Sequence, residues 1–248
     1  MRRRGRTRDG AMTRKGLQLA AVVAALCAIL PAPMPLLAQS TGFLRVTPEV
    51  GRLSVEHIKK VTIGGGSSSS ASSASGLALG ASLAVGVHRE LPGNWMLGAE
   101  FEGTVFVRRA IEGTIRPTPA GNVHDVWPGS WDYGDRYGIG LSLVAGRRFE
   151  TGSSRGYVFG GPRRTWSEFA TGGIDPANGE AGEDRDRFTT TPWTVGIGAT
   201  VGGAWPIDIR VRYSRSYLDW IIEQGTLRLD YRYHISGLSV SVGVGAPP

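Results

Sequence analysis

The residues able to do chemistry fall into three groups. Near the C-terminus, His234-Ile235-Ser236 sets an imidazole and a hydroxyl two residues apart, which on a strand is one face. A base and a nucleophile for acyl transfer can be arranged that way. Spacing assigns no carboxylate to orient the imidazole, so the pair reads as ordinary lining or rim residues and no catalytic residue is assigned. Between 171 and 188, Asp175, Glu180, Glu183, Asp184 and Asp186 gather in a Gly-rich stretch. Carboxylates in such a stretch can hold calcium, but these lack the twelve-residue ligand spacing. A solvated loop is expected, with no metal and no cofactor. The third group is a set of charges inside otherwise small or apolar segments: Glu100 and Glu102, Arg210 and Arg212, and Arg228, Asp230 and Arg232. Enclosed charges are costly unless paired. These seven therefore predict an ionic network across facing strands.

Composition sets where such a network would sit. The first 38 residues have a basic start (Arg2, Arg3, Arg4, Arg6, Arg8, Arg14, Lys15), an uncharged apolar run over 16–30 and a small residue, Ala38, before the cut. That is the plan of a secretory signal, and Pro31, Pro33 and Pro35 end the apolar run before the roughly 20 residues a spanning helix needs. Seven of the 28 basic residues and one of the 21 acidic ones lie in this segment, so the net charge falls from +7 to +1 when it is removed. The basic balance belongs to the export tag and excludes a nucleic-acid partner. The single cysteine, Cys27, leaves with it, so no disulfide holds the exported chain. Residues 39–248 are long enough for one domain.

Period-2 alternation identifies eight segments in that domain, over 43–55, 77–88, 95–107, 136–150, 156–170, 192–206, 207–220 and 225–245. In the second and third, Leu83, Val85, Trp95, Leu97 and Phe101 share one face, and Ser82, Ala84, Gly98, Glu100 and Glu102 share the other. The first segment slips register near Gly51. The fifth alternates poorly around Gly160-Gly161-Pro162, as an edge or bulge would. The last places Leu227, Leu229, Tyr231, Tyr233 and Ile235 opposite the charges and changes parity at Ser236-Gly237, which reads as a bulge. Short turns at 89–94, 151–155 and Trp205-Pro206 alternate with long loops at 60–76, 108–135, 170–190 and 219–225. The run GGGSSSSASSASG over 64–76 reads as flexible coil, and Trp127, Trp131 and Tyr133 as packing within their loop. Soluble sheets bury the apolar face, whereas membrane barrels show it to lipid and keep polar residues inside. Here Trp95, Tyr137, Trp193, Trp205 and Tyr213 share the apolar face, as interfacial aromatics do. The reading is an all-β, eight-stranded antiparallel up-and-down transmembrane β-barrel with the charged network in its lumen.

The segments NWMLGAEFEG, DRYGIGLSLVAGRRF, WTVGIGATVGGAW and IDIRVRYSRSYL resemble the bacterial outer-membrane β-barrels of the opacity-type and OmpA-like small porin family. Asn94, Trp95, Leu97, Gly98 and Glu100 match its turn-to-strand pattern, and Arg210 and Tyr213 match its penultimate strand. The likeness covers most of residues 41–245. It implies a monomer in the Gram-negative outer membrane, in contact with membrane lipid and lipopolysaccharide. It further implies a structural or surface-interaction role, with loops available to a surface or envelope protein. A narrow charge-selective channel is the alternative. His234 and Ser236 also resemble the His-x-Ser pair of outer-membrane lipid A deacylases, although the following Asn is Gly237 here. The family usually ends in an aromatic residue, and this chain ends Val-Gly-Ala-Pro-Pro.

Overall fold

The computed structural model describes residues 40–248 apart from 109–110, 117–127, 150–153, 176–177, 203–204 and 247–248. The signal segment, Trp127 and the final Pro-Pro lie outside the described residues. The strands are β1 (Ser40–Ile63), β2 (Gly66–Leu91), β3 (Trp95–Arg108), β4 (Ile111–Ile115), β5 (Gly129–Arg148), β6 (Arg155–Ile174), β7 (Ala181–Thr190), β8 (Trp193–Val201), β9 (Ile207–Gln224) and β10 (Leu227–Ala246). β3 and β4 pair with successive halves of β5, and β8 and β7 with successive halves of β6. Each couple is therefore one interrupted wall. Pairing of β1 with β10 and of β5 with β6 closes an eight-walled antiparallel ring. Closure removes the free edges of the lower ring, whereas β4 and β7 each pair on one side only.

The sequence reading was right about the number of walls and too short about their length. Most run 18–26 residues, against the 9–11 that cross a bilayer. The stretch 64–76, expected as coil, is a two-glycine turn followed by the first half of β2, with Gly64 and Gly65 at positive φ. The loop expected at 170–190 is the end of β6, a short turn and β7; that at 219–225 is the end of β9 and a tight turn. The fifth segment is no edge: β6 pairs with β5 on one side and β7 and β8 on the other.

The most informative difference concerns parity. β1 and β10 run in one unbroken register from Ile63↔Leu227 to Leu44↔Ala246, so there is neither a slip at Gly51 nor a bulge at Ser236-Gly237. Those two positions lie at one height, since Gly51 faces Ser239 and Leu53 faces Gly237. Below that height Leu44, Val46, Leu238, Val240, Val242 and Val244 point out, and Arg45, Thr47 and Ser241 are buried inside. Above it Glu56 and Arg232 point out, and Leu53, Val55, His57, Tyr233 and Ile235 are buried inside. What changes there is the solvent outside the wall, from lipid to water, and the side chains follow it. A true bulge occurs elsewhere, in β5, where register shifts between Asp135 and Tyr137. It lets Trp131 and Tyr133 face inward above while Gly138, Val144 and Gly146 face inward below.

Candidate functional site

The lower lumen is filled by charge. Asp208 and Arg210 on β9, Glu100 on β3 and Arg45 on β1 point inward because apolar neighbours at alternate positions claim the outward face. Arg210 donates to both Glu100 oxygens at 2.7 Å and, through Nε, to Asp208 at 2.9 Å. Arg45 lies 3.0 Å from Glu100 and 3.3 Å from Asp208. Tyr157 donates its hydroxyl to Asp208 at 2.6 Å, Thr200 at 3.1 Å. One step higher, Arg212 donates to Glu102 at 2.6 Å and reaches Glu49 at 3.4 Å, and Arg163 lies 3.5 Å from Glu102. Four arginines thus face four carboxylates, all nearly removed from solvent. The Arg210 guanidinium also lies over the rings of Tyr157 and Phe159, at 5.0 and 4.7 Å. Those rings explain the inward glycines of β8, because a Cβ at Gly196 or Gly198 would collide with Phe159 or Tyr157.

Of the seven residues expected in one network, Glu100, Glu102, Arg210 and Arg212 are brought together in the lumen. Arg228, Asp230 and Arg232 are not. They stand on the outer face of the upper wall, where Arg228 pairs with Asp230 at 3.0 Å and Glu223 at 3.2 Å. The expected opposite face, Leu227 to Ile235, turns inward instead. Sequence reasoning missed Arg45, Asp208, Arg163, Glu49 and Tyr157. The first two were legible in principle, since both alternate with outward apolar residues on their strands.

The upper lumen is filled by rings. His57 is wholly enclosed, with ring centroids 5.2 Å from Phe169 and Tyr233 and 5.8 Å from Trp131. Val55, Val61, Ile111, Ile115, Tyr133 and Ile235 complete the layer. Neither imidazole nitrogen has a hydrogen-bond partner, and burial, then the nearby Lys59 charge, pushes its pKa down to about 4. The facing wall is small: Trp131 donates Nε1–H to Ser72 at 2.7 Å, and the Ser70 hydroxyl accepts from the Arg116 backbone at 3.2 Å. Between the two layers is a cavity of about 60 Å³ lined by Tyr133, Asp135, Arg163 and Arg212 among others.

Outside, the lower half carries a belt of exposed apolar side chains on every wall, from Val211 at 37% exposure to Val107 at 78%. The five aromatics expected at interfaces are all exposed: Trp95 and Trp205 toward the short turns, Tyr137, Trp193 and Tyr213 toward the upper edge. Just above that edge, His234 Nδ1 lies 2.9 Å from Glu56 on the adjoining strand, both half-exposed. Ser236 follows on the same outer face, opposite Ser54. It makes no side-chain hydrogen bond among the described residues. The carboxylates of β7 split between faces, Glu183 outward and Asp186 inward, and no group of three metal-ligating residues occurs among the described residues.

No family model matches the chain, and no curated protein matches it. Among solved structures, the outer membrane protease OmpT from Escherichia coli aligns at 10% identity over 80% of this chain and 96% of its own, TM-score 0.40. Neisserial surface protein A aligns at 12% identity over 83% and 97%, TM-score 0.32. The attachment invasion locus protein Ail of Yersinia pestis aligns at 12% over 79% and 97%, TM-score 0.25. The physical case rests on this chain alone. A closed ring satisfies its own backbone, as a bilayer demands, and its lower half is apolar outside, charged inside and fringed by aromatics at both edges. It is a closed β-barrel whose lower half has the faces of a membrane-spanning one.

Proposed function

We propose that the barrel is a monomeric, non-enzymatic scaffold, shut along its axis, that holds its upper walls and turns clear of the membrane for contact with other molecules. The observation that carries this reading is the double closure of the lumen. Paired charges span it between β1, β3, β6 and β9 within the belt, and packed rings span it above. An eight-walled ring leaves room for side chains and little else. Conductance of the refolded barrel in planar bilayers tests it: silence is expected, and a steady open channel would replace this reading with the charge-selective pore.

One observation favours a second reading. Glu56 supplies the carboxylate beside His234 that spacing could not assign, and Ser236 shares that outer face at the lipid edge. Acyl transfer on a membrane lipid needs such groups there. Against it, Ser236 and His234 are not hydrogen-bonded. Incubation of the parent and Ser236→Ala with purified lipid A decides: acyl release by the parent that is lost in the variant would make the protein an enzyme, and no release by the parent leaves the scaffold.

A further inference from the structure

The interrupted walls leave two seams in the upper half of the ring. β3 gives way to β4 and β8 to β7, so above the belt β4 comes beside β2 and β7 beside β9. Neither new neighbour is joined by a ladder. The first seam is bridged by side chains, because Ser70 of β2 accepts from the Arg116 backbone at 3.2 Å and Ser72 from Trp131 at 2.7 Å. The second has no hydrogen bond or ion pair across it among the described residues. The ladder of β8 with β9 ends at Trp193↔Arg215, and from Ser216 to Gln224 β9 is bonded to β10 alone.

That free length of β9 is apolar on both faces, although it stands above the lipid belt. Tyr217 and Ile221 point outward, Trp220 points inward with its ring 5.7 Å from that of Tyr231, and all three are exposed. Across the seam, β7 turns Asp186 inward opposite Phe169, and Asp184 shares that face. Neither makes an ion pair among the described residues. Burial and the neighbouring Asp184 push the Asp186 pKa up, and Lys59 on β1 is the cation whose charge reaches Asp184. The outward Arg185 and Arg187 of β7 are already engaged by Glu168, at 3.3 and 3.5 Å. The unmatched charge of the seam is therefore acidic and faces inward.

Unpaired N–H and C=O groups along an edge are a template for another strand. A strand laid on β9 sets alternate side chains inward, between Trp220 and the two aspartates, and the others outward beside Tyr217 and Ile221. Lys or Arg meets the inward setting, its stem on the ring and its charge on the carboxylates. An apolar residue meets the outward one. A second copy does not fit, since β9 offers no basic residue over 216–224. Two barrels in one membrane also point the same way, so their β9 edges would meet in parallel, the less stable pairing.

We infer that the seam between β7 and β9 takes up an extended segment of another protein, alternating basic and apolar residues, which adds as a strand to the free edge of β9. This rests on the scaffold reading and names the partner's chemistry and its seat. The test titrates the refolded barrel in neutral detergent with a blocked peptide alternating Lys and Val, about eight residues long to match a short strand. Its Glu-Val counterpart and the Lys-Val peptide N-methylated throughout are the controls. The Lys-Val peptide is expected to bind at least about tenfold more tightly than either, the worth of one charge-assisted hydrogen bond, and to slow amide exchange over 216–224. Asp184→Asn/Asp186→Asn is expected to abolish the preference for Lys over Glu, and its heat-modifiable gel mobility reports barrel formation separately. Equal affinity for the Glu-Val or the methylated peptide, exchange over 216–224 left unchanged, or a Lys preference that survives in the double variant would each overturn the assignment. So would a dimer in sedimentation that excludes the peptide, which would give the edge to a second copy. A barrel that is silent in planar bilayers and takes no peptide loses the strand site and keeps the scaffold reading, whereas a steady conductance removes the scaffold reading whatever the peptide does.

Discussion

The lower and upper halves of this barrel share the long walls β1, β2, β5, β6, β9 and β10, yet they are inside-out relatives. Below the level of Gly51 and Ser239 the lumen holds Arg45, Glu100, Asp208 and Arg210, and the outside is apolar. Above it the lumen holds His57, Trp131, Phe169 and Tyr233, and the outside is charged. The lower half follows the rule for membrane barrels and the upper half the rule for soluble ones. Neither needs a break in the strands of β1 or β10. A backbone ladder is indifferent to which face is greasy, so the surroundings alone decide.

Removing a partner from each half separates the two kinds of filling. Glu100→Ala leaves Arg45 and Arg210 enclosed without their shared carboxylate, and the loss expected for an uncompensated buried charge is roughly 5 kcal/mol. Urea titration of the refolded barrel in vesicles measures it; a midpoint within error of the parent would mean that water reaches the lower lumen. Phe169→Ala opens a void among rings and is expected to cost about 4 kcal/mol. Because Phe169 lies above the belt, the variant should still insert and keep its heat-modifiable mobility, and failure to insert would show that the halves fold as one.

Acid distinguishes the halves as well. The pKa of His57 is lowered to about 4 by burial and by Lys59, against 6.5 in the unfolded chain, so the unfolded state takes up the proton first. Stability from this group is complete above pH 6.5 and is lost progressively as pH falls toward 4, to a total on the order of 3 kcal/mol. Replacing the imidazole by His57→Phe should flatten that part of the pH profile, and a profile unchanged in the variant would assign the acid sensitivity elsewhere. The smallest expected effect comes from the outer face. Arg232→Ala, in water, should shift stability by no more than about 0.5 kcal/mol, whereas Val242→Arg, in lipid on the same strand and face, should cost about 2–3 kcal/mol. Equal penalties at the two positions would remove the boundary between them.

These contrasts show why half of the chain was readable. Below the boundary, outward Ile207, Ile209 and Val211 alternate with inward Asp208, Arg210 and Arg212, and one rule for faces assigns them all. Carried upward along β10, the same rule put Tyr231 and Tyr233 outside and Arg228, Asp230 and Arg232 inside. The alternation there was real, but the surroundings had changed sign, and a one-residue bulge was the only local way to account for it. The Ser-rich run of β2 was unreadable for another reason. Ser68 and Ser70 are buried, and the run's partners are distant in sequence: Ser72 accepts from Trp131 and Ser70 from the Arg116 backbone. Nothing local to the run reports that setting. Partner choice among charges was partly legible. Glu100 and Arg210 could be paired by sign, but Arg163 lies in a segment whose glycines and proline hid its phase.

The continuous ladder of β1 and β10 also sets reach. From Arg52 at the lipid edge to Ile63 at the turn, β1 climbs 11 residues without a hinge, which for a tilted strand raises the Gly64-Gly65 tip roughly 25 Å above the belt. That is a mast, stiffened along its length by the ring core, and not a loose loop lying on the surface. An epitope inserted between Gly64 and Gly65 would be carried at a fixed height, clear of the headgroup layer.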